Sequence, residues 1–132
     1  MPDGKVISVG KERFGCPEYL FSPQDEDKSE SIQNMIYDSI LSCDDEARDT
    51  LYKNIILSGG TSFLEGLEKR LLKEIEAKAP SSIKPDKKGN RVYVIASPDR
   101  KYAAWRGGKT LASLSIIQEK LITKEDYDES GP

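Results

Sequence analysis

Apolar positions along the chain keep helical spacing in some stretches and run together in others. From Ser31 onward, Ile32, Met35, Ile36, Ile40 and Leu41 fall at i, i+3, i+4, i+8 and i+9, which is one face of a helix. Ser29 or Ser31 is in place to cap it. Asp44 or Asp45 opens a second short helix with Ala47, Leu51 and Tyr52 inward. Residues 54–58 form a short apolar run that stops at Gly59-Gly60, the pattern of a buried strand and a tight turn. Leu64, Leu67, Leu71 and Ile75 then keep helical spacing up to Lys78, and Pro80 ends that helix. Residues 91–96 predict a second strand, and Ser97-Pro98 a helix start with Ser as cap. Beyond it Tyr102, Trp105, Leu111 and Leu114 are expected inward, with Gly107-Gly108 interrupting the helix. Thr123 to Asp126 has the form of a capping box before a last short helix. Upstream, Val6, Ile7 and Val9 predict a short strand closed by Gly10, and residues 11–21 a short helix with irregular edges. Residues 22–31 and 81–90 are polar loops.

Two strands joined by a helix predict a parallel pair with a right-handed crossover. The expected class is therefore α/β, a small parallel sheet with covering helices. Such a sheet normally has more strands and is covered on both faces.

Composition narrows the function classes. The 132 residues carry net charge −3, with 33% charged and 36% hydrophobic positions. That is a folded, polar-surfaced chain with one modest core. The interspersed charges offer no basic field to a nucleic-acid backbone. No window approaches the ~18 apolar residues of a membrane span, and the first ten residues lack a signal peptide's apolar stretch. A cytoplasmic location without nucleic-acid or membrane partners is expected. With no histidine, Ser-His-Asp and Cys-His catalysis are excluded. Cys16 and Cys43 are too few for a zinc site or a disulfide scaffold and predict two buried free thiols. Residues 22–31 lack the ligand spacing of a calcium loop.

One stretch has the look of a binding site. Ser58-Gly59-Gly60-Thr61-Ser62 follows a strand and precedes a helix, where glycines admit a ligand to the backbone and free N–H groups attract anions. It matches neither GxxxxGK[ST] nor GxGxxG, so a purely structural turn is the competing reading.

The surrounding residues resemble the actin family. NIILSGGTSFLEGLEKRL is similar to the family's adenosine motif. PDGKVISVGKERFGCPEYLF lies before it, and KEIEAKAPSSIK, SPDRKYAAWRGGKTLASLS and ITKEDYDESGP follow in the family's order. The resemblance covers nearly the whole chain. It implies a partial actin-like fold of the ribonuclease-H-like ATPase class. Residues 1–30 would correspond to the end of the outer subdomain of the second lobe, 31–97 to part of the inner subdomain, and 98–132 to the return into the first lobe, together one compact unit.

By the same resemblance, Gly59, Gly60 and Thr61 border the phosphates and sugar of a nucleotide, and Phe63, Leu64 and Lys101 border the adenine. Actins usually carry a methionine and a tyrosine where Phe63 and Leu64 stand, so the adenine contact is altered. The family's phosphate hairpins, cation-holding acids and water-positioning glutamine have no counterpart in these 132 residues. Phosphoryl transfer needs a metal clamp and a positioned water. The expectation is no catalytic residue, no resident metal and no autonomous ATPase. ATP or ADP with Mg or Ca would be held only if the missing half is supplied.

Thr110, Leu111, Leu114 and Ile116 match one wall of the cleft that receives amphipathic helices of actin-binding proteins, although Leu111 and Leu114 as plain core is the competing reading. Arg106 and Lys120 stand where that cleft is usually apolar. Gln24 to Lys28 replaces the family's apolar plug with charge, and the loop at 81–90 is longer than usual. The expected role is a cytoskeletal module that binds actin-binding proteins or other cytoskeletal subunits. The alternative is a piece of a complete ATP-binding, filament-forming actin or actin-related protein.

Overall fold

The computed structural model describes residues 2–24 and 30–131. Its elements are helices α1 (Glu12–Glu18), α2 (Ile32–Leu41) and α3 (Asp45–Tyr52), strand β1 (Ile55–Ile56), helix α4 (Leu67–Lys78), strand β2 (Val94–Ile95), and helices α5 (Ala103–Ala112), α6 (Ser115–Gln118) and α7 (Lys124–Ser130). Two 3-10 turns, Gly60–Phe63 and Arg100–Tyr102, follow the two strands.

The core forms around α4. Leu67, Leu71 and Ile75 lie one turn apart, and all three are buried together with Ala79. Tyr52 of α3, Ile40 of α2, Phe21, Leu57, Ile83 and Val92 complete the cluster. Leu64, expected in the same stripe, lies outside the helix. Gly66 adopts a left-handed conformation (φ 80°) at the cap of α4 and turns Leu64 away.

β1 and β2 are parallel, with Ile55 opposite Val94 and Ile56 opposite Ile95. This is the small parallel sheet expected, but each strand has two residues where five and six were predicted. Its ladder is extended by Ile55 N–H to the Tyr93 carbonyl (3.2 Å) and Leu57 N–H to the Ile95 carbonyl (2.9 Å). Ile55 and Val94 face inward. Ile56 and Ile95, one residue along, share the opposite face and are 69% and 43% exposed. Parallel sheets are usually covered on both faces; within the described residues this one is covered on one.

Several expectations are corrected. Val6, Ile7 and Val9 form no strand and are exposed, Val6 to 95%, because no described strand lies beside them to pair with. Cys16 and Cys43 are both exposed thiols. Met35 and Ala47 face solvent although their spacing matches the buried stripes. Ser31 stands at the start of α2, but its side chain makes no capping bond. Ser29 and the charged replacement at Asp25 to Lys28 lie outside the described residues. The helix expected from Ser97 starts at Ala103, after a 3-10 turn, and α5 continues through Gly107-Gly108 without a break. Tyr102, Trp105, Leu111 and Leu114 are all exposed, and no described side chain beyond Ala103 is buried.

Other local readings hold. α1 occupies residues 12–18, and Arg70 of α4 tethers it by donating through both terminal nitrogens to Glu18 (2.9 Å each). The same guanidinium lies 4.8 Å from the Phe21 ring and bonds Glu74. These two carboxylates hold the Arg70 pKa above its usual value, Glu18 foremost. The capping box at Thr123 is complete, with both the Thr123 and Asp126 side chains accepting the backbone N–H of the other. Residues 86–90 form a closed turn. Asp86 accepts from the N–H of Lys88 and Asn90 and from the Tyr93 hydroxyl, which together hold its carboxyl below the usual range, the Tyr93 bond foremost.

Candidate functional site

The glycine turn at the end of β1 is the best-built candidate site. Past Leu57 the chain leaves the sheet, and Gly59 takes φ 87° and ψ 165°, a backbone region essentially limited to glycine. That conformation folds residues 60–63 into a single 3-10 turn. The α-helix begins only at Leu67, so the expected direct strand-to-helix step is replaced by a turn between them. No atom lies within 4 Å of the position a side chain would take at Gly59 or Gly60, so the backbone there is open to a ligand. The Gly59 N–H is used on the Arg100 carbonyl (2.9 Å), whereas the N–H groups of Gly60 and Thr61 meet no acceptor among the described residues.

The second 3-10 turn, Arg100–Tyr102, packs against the first, because β1 and β2 are parallel and both leave the sheet at the same end. Arg100 reaches back across the gap. Its Nε donates to Ser62 Oγ (3.0 Å), one Nη donates to the Ser62 carbonyl (3.0 Å), and the other to the Ser97 carbonyl (2.9 Å). Ser62 is buried, and its hydroxyl donates to the Gly59 carbonyl (2.6 Å). The Arg100 guanidinium lies over the Phe63 ring, 4.0 Å from its centre.

The residues proposed for nucleotide contact are thus only partly gathered. Gly59, Gly60, Thr61, Phe63 and Leu64 lie on one continuous turn, and Thr61, Phe63 and Leu64 are exposed. Lys101 is on the facing turn, but its ammonium is 5.2 Å from the Tyr102 ring, and it is Arg100 that covers Phe63. Arg100 carried no signal in the sequence beyond its place beside Lys101. Its partner Ser62 lies 38 positions away, and only the parallel sheet brings them together.

The four cleft residues lie elsewhere, at the end of α5 and across its junction with α6. Leu111, Leu114 and Ile116 are exposed, not core, and the Thr110 hydroxyl bonds the Arg106 carbonyl of its own helix. Leu114 is extended (ψ 131°), which separates the two helices. These residues form an apolar strip with no opposing wall among the described residues. Arg106 pairs with Asp99 before α5.

Among the described residues, no helix is long and apolar enough to cross a membrane. A parallel sheet whose two exits face each other, with the glycine turn on the first of them and the order of motifs read along the sequence, agrees with comparison to known families. The family model described as Actin matches residues 1–132, and the chain therefore belongs to the actin family.

Proposed function

We propose that residues 1–132 act as an actin-like cytoskeletal module through protein–protein contact and do not hydrolyse ATP on their own. The observation that carries this reading is the uncovered apolar surface. The Ile56–Ile95 face of the sheet lies open, and Trp105, Leu111, Leu114 and Ile116 are exposed along α5 and α6. Large apolar side chains left in solvent on a sheet face and along two helices are the kind of surface that protein contacts cover. The strip at Thr110, Leu111, Leu114 and Ile116 would take one side of an amphipathic helix from an actin-binding protein or another cytoskeletal subunit. A cytoplasmic, cytoskeletal setting follows from the same reading.

The turn fits a nucleotide in part. Gly59, Gly60 and Thr61 would border phosphate and sugar, with Phe63, Leu64 and Lys101 towards the base. ATP or ADP, with Mg or Ca, would be held only when groups beyond these residues close the site. No residue of the chain is assigned to the cation or to the attacking water, the two requirements of phosphoryl transfer. The alternative reading, a piece of a complete ATP-binding, filament-forming actin or actin-related protein, is favoured by one specific feature: the open glycine turn at residues 59–60.

The test is sedimentation of the pure chain with and without Mg-ATP, beside its circular dichroism. A folded monomer indifferent to Mg-ATP supports the interaction module. A chain that is unfolded or aggregated alone, and rescued by a companion carrying the rest of the fold, supports the alternative. Metal-dependent phosphate release above a buffer blank would refute the absence of autonomous hydrolysis.

A further inference from the structure

We propose that Arg100 is the positioning residue of the turn at residues 59–64. It fixes the shape of the turn and leaves Phe63 a single ring face for a planar base. The proposal rests on the reading of this turn as a nucleotide contact.

Three features of Arg100 point the same way. First, all three nitrogens of its fork are engaged: Nε and one Nη donate to the two oxygens of Ser62, and the other Nη donates to the Ser97 carbonyl. Ser62 in turn holds the Gly59 carbonyl, and the Arg100 carbonyl holds the Gly59 N–H. The one residue of the site with glycine-restricted geometry is therefore bound at both its polar groups, directly or through Ser62, to Arg100. Lysine, with a single point of attachment, cannot reach the acceptors at once.

Second, the guanidinium stacks on Phe63 at 4.0 Å from the ring centre. Phe63 is 47% exposed, so one face is taken by Arg100 and a purine has only the opposite face. The stack also holds the ring still, which lowers the entropy lost when a base settles on it. Third, no carboxylate pairs with Arg100 among the described residues. Its positive charge is left beside the turn, which favours an anionic ligand over a neutral one.

The experiment is amide hydrogen exchange on the full 132-residue chain, comparing the parent with R100A and R100K. The α4 amides of Leu71 and Ile75 serve as the internal reference. In R100A the amides of Gly59, Ser62 and Leu64 should exchange about tenfold faster or more, the loss expected for hydrogen bonds from a charged donor, while α4 keeps its protection. R100K should recover only a minor part of the loss. Unchanged exchange in R100A overturns the proposal. So does full recovery in R100K, which would mean that charge alone suffices. Equal loss of protection in the turn and in α4 in both variants also overturns it, because Arg100 would then be a support of the whole domain. Mg-ATP titration of the chain combined with a companion carrying the rest of the fold, watched at the Phe63 ring resonances, gives the second readout. A shift in the parent that weakens severalfold in R100A supports both the positioning and the nucleotide contact. No shift in the parent, with the exchange pattern intact, removes the nucleotide reading while Arg100 stands as the anchor of the turn.

Discussion

Truncation of Leu71 to alanine tests where the stability of this chain resides. Leu71 is fully buried at the centre of the α4 stripe. The change deletes three carbons' worth of buried apolar surface at about 0.8 kcal/mol each, and a cavity adds to it. The expected cost is about 3 kcal/mol, inside the range for buried leucines. Against a total of roughly 5–15 kcal/mol for a single domain, that is a large fraction. Ile95→Ala is the control. Ile95 lies in the same sheet neighbourhood but 43% exposed on the open face, so its truncation should cost about 1 kcal/mol or less. Urea unfolding followed by far-UV circular dichroism, at a protein concentration low enough to keep the chain monomeric, separates the two. With a denaturant slope of about 2 kcal/mol per molar, Leu71→Ala should lower the midpoint by about 1.5 M and Ile95→Ala by about 0.5 M or less. A Leu71→Ala shift below about 0.5 M would refute the packing argument. An Ile95→Ala shift equal to that of Leu71→Ala would mean that the open face is covered in solution, and the proposal built on its exposure would fall.

Gly59→Ala should cost about 1–3 kcal/mol, because φ 87° with ψ 165° is strained for any residue bearing a Cβ. Gly60→Ala, with an ordinary φ, should be nearly neutral, and equal costs in thermal unfolding would contradict this account of the turn. Arg70→Met should release α1, which buries no side chain of its own, while α4 stays folded. Trypsin should then cut faster after Lys11 and Arg13, and an unchanged cleavage rate would show that the Glu18–Arg70 fork is dispensable. The Asp126 carboxyl is held below its usual value, first by the Thr123 hydroxyl and then by the Thr123 backbone N–H. A depressed folded pKa means that its contribution is present above the unfolded value and is lost as pH falls through the folded one. α7 amide signals should therefore fade only below about pH 4, and D126N should remove that pH dependence; a transition near neutrality would rule the capping box out as its cause.

The fold was legible wherever a single element carries its own pattern. The Leu67–Leu71–Ile75 stripe, the stop at Pro80, the parallel pair and the capping box at Thr123 all follow from local rules and are all present. The misreadings share one cause. Val6, Trp105 and Leu111 are apolar where the pattern suggests an element with a buried side, yet burial needs a partner surface, and these side chains are left exposed among the described residues. Periodicity tells which side of an element avoids water but not whether anything covers that side. The two cysteines show the same limit, since their type favours burial and their positions are exposed.

The sequence by itself determined the family resemblance, the α/β class, the helix that organises the core and the glycine turn as the place to look for a ligand. Each depends on residues close together in the chain. Tertiary structure alone decided that the turn is held by Arg100, that Phe63 has one ring face covered, and that Ile56 and Ile95 form an open face. Those facts depend on strand register and on contacts between residues about 38 positions apart. Side-chain direction in a strand reverses with every residue, so one step of register separates a buried isoleucine from an exposed one, and no local pattern encodes that choice.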